Sequence, residues 1–380
     1  MDFGLSDEQA ILKEMLERYL RDSYSFETRG KRLRAGGADA ALWRDFAETL
    51  GILAAPLPER VGGMGGGPVE AMVVMEALGE ALVFAPYLET VVISGGLLSG
   101  VGGETADALL ARIAAGSAQV ALAHGEPRSR YTLAHVDTTA AADGDGWLLN
   151  GTKSVVVGAP DADQLLISAR TGGSAGDREG IALFLADAGA DGITRHDYRL
   201  IDERPAADLV LTDLCLPGDA LLTGEGDALP HIERAIDAGT AGVCAEGVGV
   251  MRRMMADTVD YTRQRRQFGQ PLASFQALQH RMVDMYMALE QAVSASFLAT
   301  LNLSAPDAER ARAVSAAKAT LGESLRFVGQ NAVQLHGAMG MTEELAVGHY
   351  FKRATVIEQQ FGTVDHHLAR YSSLGRPKAA

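Results

Sequence analysis

Residues 147–170 read WLLNGTKSVVVGAPDADQLLISAR. Two short apolar runs, one of them rich in valine, flank a Gly-Ala-Pro break, which is the pattern of two strands and a turn. Working outward, QVALAH (119–124) precedes them, and GIALFLAD (180–187) and ADLVLTDLCL (207–216) follow. Asp-Gly pairs at 143–144, 145–146 and 191–192 punctuate the segments, as antiparallel hairpins require. The spacing predicts a β domain over 118–226 between two helical regions. The fold expected is a multi-domain α+β chain: an N-terminal α-helical domain (1–117), a middle antiparallel β-barrel or sandwich, and a C-terminal four-helix bundle (227–380).

The flanks carry the helical period. Ser6 and Gln9 have capping-box spacing, and Ile11, Leu12, Met15, Leu16, Tyr19 and Leu20 then line one face. Further runs, Leu42–Leu50, Val69–Leu82 and Glu104–Ala115, end at or near glycines such as Gly51 and Gly116. The glycine-rich stretch 62–67 lacks a following Lys-Ser or Lys-Thr and reads as a plain loop. After residue 227 come four long runs, Leu229–Arg266, Phe275–Leu303, Pro306–Leu335 and Thr342–Tyr371, with Pro306 expected in the first turn of its helix. GRPKAA (375–380) reads as a frayed tail.

The chain has 380 residues, 47% of them hydrophobic and 22% charged, ample for more than one core. No apolar run reaches the length of a membrane helix, and the acidic start MDFGLSDEQAIL lacks the form of a secretory signal, so a cytoplasmic protein is expected. With 34 Lys and Arg against 49 Asp and Glu, the net charge of −15 disfavours nucleic acid and anionic membranes as partners. Cys215 and Cys244 lie in apolar stretches without ligand spacing and read as reduced, buried thiols; no metal site is expected.

Three segments can carry chemistry. In YTRQRRQFGQPLASFQALQHRMVD (261–284), Arg263, Arg265 and Arg266 concentrate positive charge where a helix ends. The helix dipole explains that placement; so does a guanidinium fork for a diphosphate, with Phe268 and Gly269 turning the chain so that Gln276 faces the same ligand. In AVQLHGAMGMTEE (332–344), Gln334, His336 and Gly337 offer an amide and bare backbone, or a glycine C-cap beside a satisfied histidine. In IEQQFGTVDHHLARY (357–371), Gly362-Thr363 breaks the helix and puts a hydroxyl at the start of the next one. His366 and His367 are adjacent, point in different directions on a helix, and do not form a ligand set.

In this order after a β domain, RRQFG…FQALQH and QLHGAMGMT resemble the acyl-CoA dehydrogenase family along essentially the whole chain. The wording is closest to the small subunit of heteromeric pimeloyl-CoA dehydrogenases. The resemblance implies FAD as cofactor, an acyl-CoA thioester as substrate, and electron-transfer flavoprotein as electron acceptor. It implies assembly with a homologous large subunit or self-association as a tetramer. It also implies that Arg265, Phe268, Gln276, Gln334 and Gly337 bind the ADP half of an FAD seated in a neighbouring subunit, with Thr363 beside the flavin of its own.

The departures from the family pattern are as informative. Where relatives have Trp-Ile-Ser/Thr against the flavin ring, GTKSVVVG places Val155 and Val157, and HGEPRSR keeps only Glu126-Pro127 of the Thr-Glu-Pro…Gly-Ser-Asp pattern. The glutamate expected before Gly-Thr is Phe361, which cannot accept a proton. Gly239, where some relatives place the base, is also empty of acid. Glu246 lies two turns on, about 10 Å along the same helix face, as a relocated base or as a partner of Arg252 or Arg253. Three readings follow: a subunit that completes a partner's FAD site, a self-sufficient dehydrogenase using Glu246, or a non-dehydrogenating flavin enzyme on the same fold.

Overall fold

A computed structural model describes residues 4–34 and 39–375; the tail from 376 lies outside the described residues. Along the chain, helices come first, then strands, then helices. The first group is α1 (Asp7–Ser23), α2 (Phe26–Arg34), α3 (Ala40–Arg44), α4 (Pro68–Glu80), α5 (Gly95–Val101) and α6 (Glu104–Ala114). The Ser6–Gln9 capping box forms as the sequence predicts, its two reciprocal hydrogen bonds satisfying donors that the first helical turn leaves open. Gly51 and Gly116 adopt left-handed conformations at the ends of their segments.

The strands are β1 (Val120–Ala123), β2 (Thr139–Asp143), β3 (Gly146–Val157), β4 (Gln164–Arg170), β5 (Ile181–Asp187), β6 (Ile193–Arg199) and β7 (Pro205–Pro217). They form one sheet ordered β1-β4-β2-β3-β7-β6, with β5 on β4. Asp143 pairs with Gly146 across a two-residue turn whose central residues are Gly144, at φ +58°, and Asp145, so the hairpin expected here forms but with glycine in the first central position rather than an Asp-Gly pair in the turn. The sheet is mixed, because β1 and β2 each run parallel to β4. Asp191-Gly192 joins β5 to β6, which pair with different strands, so that turn closes no hairpin. Leu149, Ile167, Phe184, Leu209 and Leu214 fill the core, and Trp147 meets Phe184 edge-on at 5.4 Å. Cys215 faces outward, contrary to the expectation of two buried thiols; it alternates with buried Leu214 and Leu216 on β7, while Cys244 is buried.

The last group is α7 (Ala228–Gln264), the short hairpin β8 (Arg266–Gln267) and β9 (Gln270–Pro271), α8 (Gln276–Leu301), α9 (Asp307–His336), α10 (Ala346–Gln359) and α11 (Val364–Leu374). The fourth predicted run is therefore two helices, broken at the Gly362-Thr363 turn. Pro306 is the N-cap of α9, with extended backbone, rather than a residue of its first turn.

In space the chain divides into two compact units, one made of Met1–Arg32, Pro68–Val83 and Thr240–Ala380, the other of Leu33–Gly67 and Phe84–Gly239. In the first, α4 crosses α7 closely: a Cβ on Gly79 would fall 2.2 Å from the Glu246 carbonyl oxygen, and one on Gly249 would fall 2.0 Å from that of Glu76. The small residues around Glu246 are accounted for by this contact between helix backbones.

Candidate functional site

The C-terminal ends of α7 and α9 meet in the first unit. His336 stacks on Tyr261 with ring centroids 4.4 Å apart and shares a 2.8 Å hydrogen bond between its Nδ1 and the Ala332 carbonyl. His336 is thus a buried, satisfied residue, and Gly337 after it is a C-cap with φ +63°. The stack brings the arginine segment and the Gln334–Gly337 segment to one end of the bundle. Arg263 lies near Asp260, and Arg266 donates to the Gly269 carbonyl. Arg265 is exposed, and its guanidinium makes no ion pair among the described residues. Gln276 and Gln334 are exposed as well. Phe268, at the tip of the β8–β9 turn with φ +55°, is 89% exposed. This end therefore presents one guanidinium, two amides and an aromatic face.

The Gln360–Thr363 turn is the opposite in character. Phe361 has φ +61° and Gly362 φ +128°, and a Cβ on Gly362 would meet His366 at 2.5 Å and His367 at 2.8 Å. Lys318, buried on α9, donates from Nζ to the carbonyls of Glu358 (3.0 Å) and Gly362 (2.8 Å). Burial pushes its pKa down to about 8. His367 hydrogen-bonds through Nε2 to the Phe361 carbonyl at 3.2 Å, and burial, assisted by Lys318, lowers its pKa to about 3. The Thr363 hydroxyl accepts from the His366 N–H at 3.3 Å and so caps α11. Lys318 and Gln334 are 16 residues apart on α9, which places this turn about 24 Å along the helix from the exposed end.

Glu246 is not paired with Arg252 or Arg253, as the sequence suggested. Arg252 faces Glu76 at 3.3 Å and Arg253 faces Asp257 at 2.9 Å. Glu246 takes a two-pronged contact from Arg353 of α10, Nε to Oε1 at 2.8 Å and Nη2 to Oε2 at 2.5 Å, with both side chains almost wholly buried. Arg353 also reaches Gln360, beside Phe361, at 3.4 Å. A carboxylate with both oxygens engaged by a buried guanidinium is a poor proton acceptor.

In the second unit, Val155 has φ +54° at a bulge in β3 and is 55% exposed. Asp208 holds it there, accepting from the Val155 N–H and the Tyr198 hydroxyl, each at 2.9 Å. A β-branched residue in this conformation is strained. Beneath it, buried Lys153 donates to Glu126 at 2.6 Å and to Ser168 at 3.1 Å, and Glu126 accepts from the N–H groups of Asp137 and Thr138. His124 joins Ser168 at 2.9 Å, and burial, with Lys153 close by, takes its pKa to about 3. Sequence reasoning missed the roles of Lys153, Lys318 and Arg353. The available signal was a single cation inside an otherwise apolar run, as in VSAAKATL (314–321).

Family models for the N-terminal, middle and C-terminal domains of acyl-CoA dehydrogenases match residues 6–117, 121–214 and 229–371. This chain belongs to the acyl-CoA dehydrogenase family. It is 29% identical over 379 residues to the short-chain specific acyl-CoA dehydrogenase of Megasphaera elsdenii, covering 97% of this chain and 98% of the relative. It is also 29% identical to subunit CarC of the caffeyl-CoA reductase-Etf complex of Acetobacterium woodii, covering 84% and 85%. The ChsE4-ChsE5 complex of Mycobacterium tuberculosis contains a chain matching with TM-score 0.89 and 27% identity over the full length of both. Family members are oxidoreductases acting on CH-CH groups and use FAD. The residues present fit that cofactor unevenly. The uncommitted guanidinium and amides have the chemistry to meet a diphosphate and an adenosine, whereas the side chains of Val155, Val157 and Phe361 carry neither a hydrogen-bonding group nor an acid.

Proposed function

We propose that this chain is the non-catalytic subunit of a heteromeric FAD-dependent acyl-CoA dehydrogenase, completing the FAD site of a homologous partner subunit. One observation carries this reading. The positions that would serve another chain's cofactor are exposed and uncommitted, while the positions that would serve its own reaction are occupied by hydrocarbon or locked in internal contacts. Arg265 would hold the diphosphate, Gln276, Gln334 and the Gly337 backbone would face the adenosine end, and Phe268 would cover it. FAD, when bound, supplies the acceptor for the hydride leaving the acyl β carbon. Removal of the α proton falls to a carboxylate of the partner, because Phe361 has no basic atom and Glu246 is held by Arg353. Exposed apolar side chains on α8, among them Val283, Tyr286 and Met287, offer an assembly surface. Electron-transfer flavoprotein as acceptor is supported by the CarC relative, which belongs to an Etf complex.

The test is co-expression with a homologous subunit that retains the glutamate before Gly-Thr. Acyl-CoA oxidation by the pair, abolished when that glutamate is replaced and unaffected by Glu246→Gln, supports the reading. Turnover by this chain alone, lost in Glu246→Gln, contradicts it.

A further inference from the structure

The residues that the proposed function turns toward a partner's cofactor stand on three separate segments: Arg265 just after α7, Gln276 at the start of α8, and Gln334 and Gly337 at the end of α9. No hydrogen bond or ion pair among the described residues links the side chains of Arg265, Gln276 and Gln334 to one another. A ligand gripped from three segments is held well only where those segments keep their spacing, so the support lies beneath the contacts.

Tyr261 and Thr262, in the last turn of α7, supply it. The Tyr261 carbonyl accepts from the Arg265 N–H at 2.8 Å and fixes where the arginine leaves the helix. The half-buried Tyr261 ring stacks on buried His336, with centroids 4.4 Å and planes 28° apart. His336 donates from Nδ1 to the Ala332 carbonyl at 2.8 Å, which anchors its ring to the turn of α9 that carries Gln334, and Gly337 follows it directly. Neighbouring helical residues point about 100° apart, so Thr262 faces elsewhere. Fully buried, it turns its hydroxyl to the Met282 sulfur of α8, 3.5 Å away and within two turns of Gln276. The Tyr261 hydroxyl makes no hydrogen bond among the described residues, so the ring carries the contact to α9. Stacked rings fix rotation as well as separation, whereas an aliphatic side chain of similar volume fixes neither.

We propose that Tyr261 and His336 are positioning residues for the cofactor: their stack sets the Arg265 guanidinium at the right distance from the Gln334–Gly337 segment. The proposal rests on the proposed function, and it adds to that function two residues that act through Arg265 and Gln334 rather than by contacts of their own.

The test is FAD titration of the flavin-depleted assembly of this chain with its partner subunit. Tyr261→Leu should weaken FAD about fivefold or more, and Tyr261→Phe, which keeps the ring, should stay within about twofold. In an Arg265→Ala background, Tyr261→Leu should cost no more than about twofold further, because the group it places is gone. A leucine effect that repeats in full on Arg265→Ala overturns the proposal, as does wild-type affinity in Tyr261→Leu or a phenylalanine variant as weak as the leucine one. If Tyr261→Leu does not fold, Tyr261→Phe and His336→Phe decide, since both keep a stack: affinity within about twofold in each supports the proposal, and a greater loss in either overturns it. Unchanged affinity in Arg265→Ala itself sinks the proposed function, whereas a weakened Arg265→Ala beside an unaffected Tyr261→Leu sinks the positioning claim alone.

Discussion

The bundle end around Arg265 and the turn around Phe361 belong to the same compact unit, yet they handle polar groups in opposite ways. At Arg265 the main chain is fixed, its N–H donating to Tyr261 and its carbonyl accepting from Leu272, each at 2.8 Å, while the side chain stays uncommitted. At Phe361 the surrounding polar groups are spoken for. Lys318 serves two carbonyls, Arg353 serves Glu246 and Gln360, and Thr363 caps a helix. On the proposed function, the first keeps donors free on a rigid frame to meet a partner's cofactor, and the second keeps the frame of a reaction centre with its polar groups turned inward.

The largest expected effect breaks the closed region. Arg353→Met leaves the Glu246 carboxylate buried without its main partner and should cost about 3–5 kcal/mol of stability. Denaturant unfolding reads the loss, and a change below about 1 kcal/mol would mean that the ion pair contributes little. Replacing both residues with apolar ones of similar volume should recover most of it.

The open region should respond differently. Arg265→Ala should leave the melting temperature within about a degree or two, because the side chain is exposed. In the assembled enzyme it should weaken FAD by about 1.5–3 kcal/mol, ten- to a hundredfold. Full FAD occupancy at limiting cofactor in the variant would remove Arg265 from the site.

A smaller effect sharpens the contrast through pH. Burial lowers the Lys318 pKa from 10.5 to about 8, so between those values the unfolded chain binds more protons than the folded one. Stability should therefore rise with pH from about 8 to 10.5, and Lys318→Met should flatten that part of the curve. His367, with its pKa near 3 in the folded chain, works in the acid range. Its contribution is present above about pH 6.5 and fades as the pH falls toward 3, and His367→Phe should reduce that slope. Buried Lys153 and His124 titrate in the same directions in the other unit, so each variant is read as a difference from the wild-type curve.

Much of this was legible in the residue order wherever local chemistry decides structure. The Ser6–Gln9 box, the turn after Asp143 and the helix end at Gly337 each follow from a few neighbouring residues. Leu88–Ser94 escaped notice as a helical segment because every residue in it is buried, which erases the apolar period that marks a surface helix. Strand β6, ITRHDYR, lies at the sheet edge and is nearly all exposed, so it shows little apolar alternation. The site divided along the same line. The exposed place of Arg265 at a helix end and the glycine cap at Gly337 follow from their own segments, but the Glu246 partner lies 107 residues away, and only the contact of α10 with α7 reveals it.

The most direct measurement counts flavin in the purified assembly of this chain with its partner, alongside this chain alone. Flavin for only half of the chains, lost when Arg265 is replaced here and retained when Thr363 is replaced, is the predicted result. Full flavin occupancy of this chain alone, with the flavin lost on replacing Thr363, would contradict it.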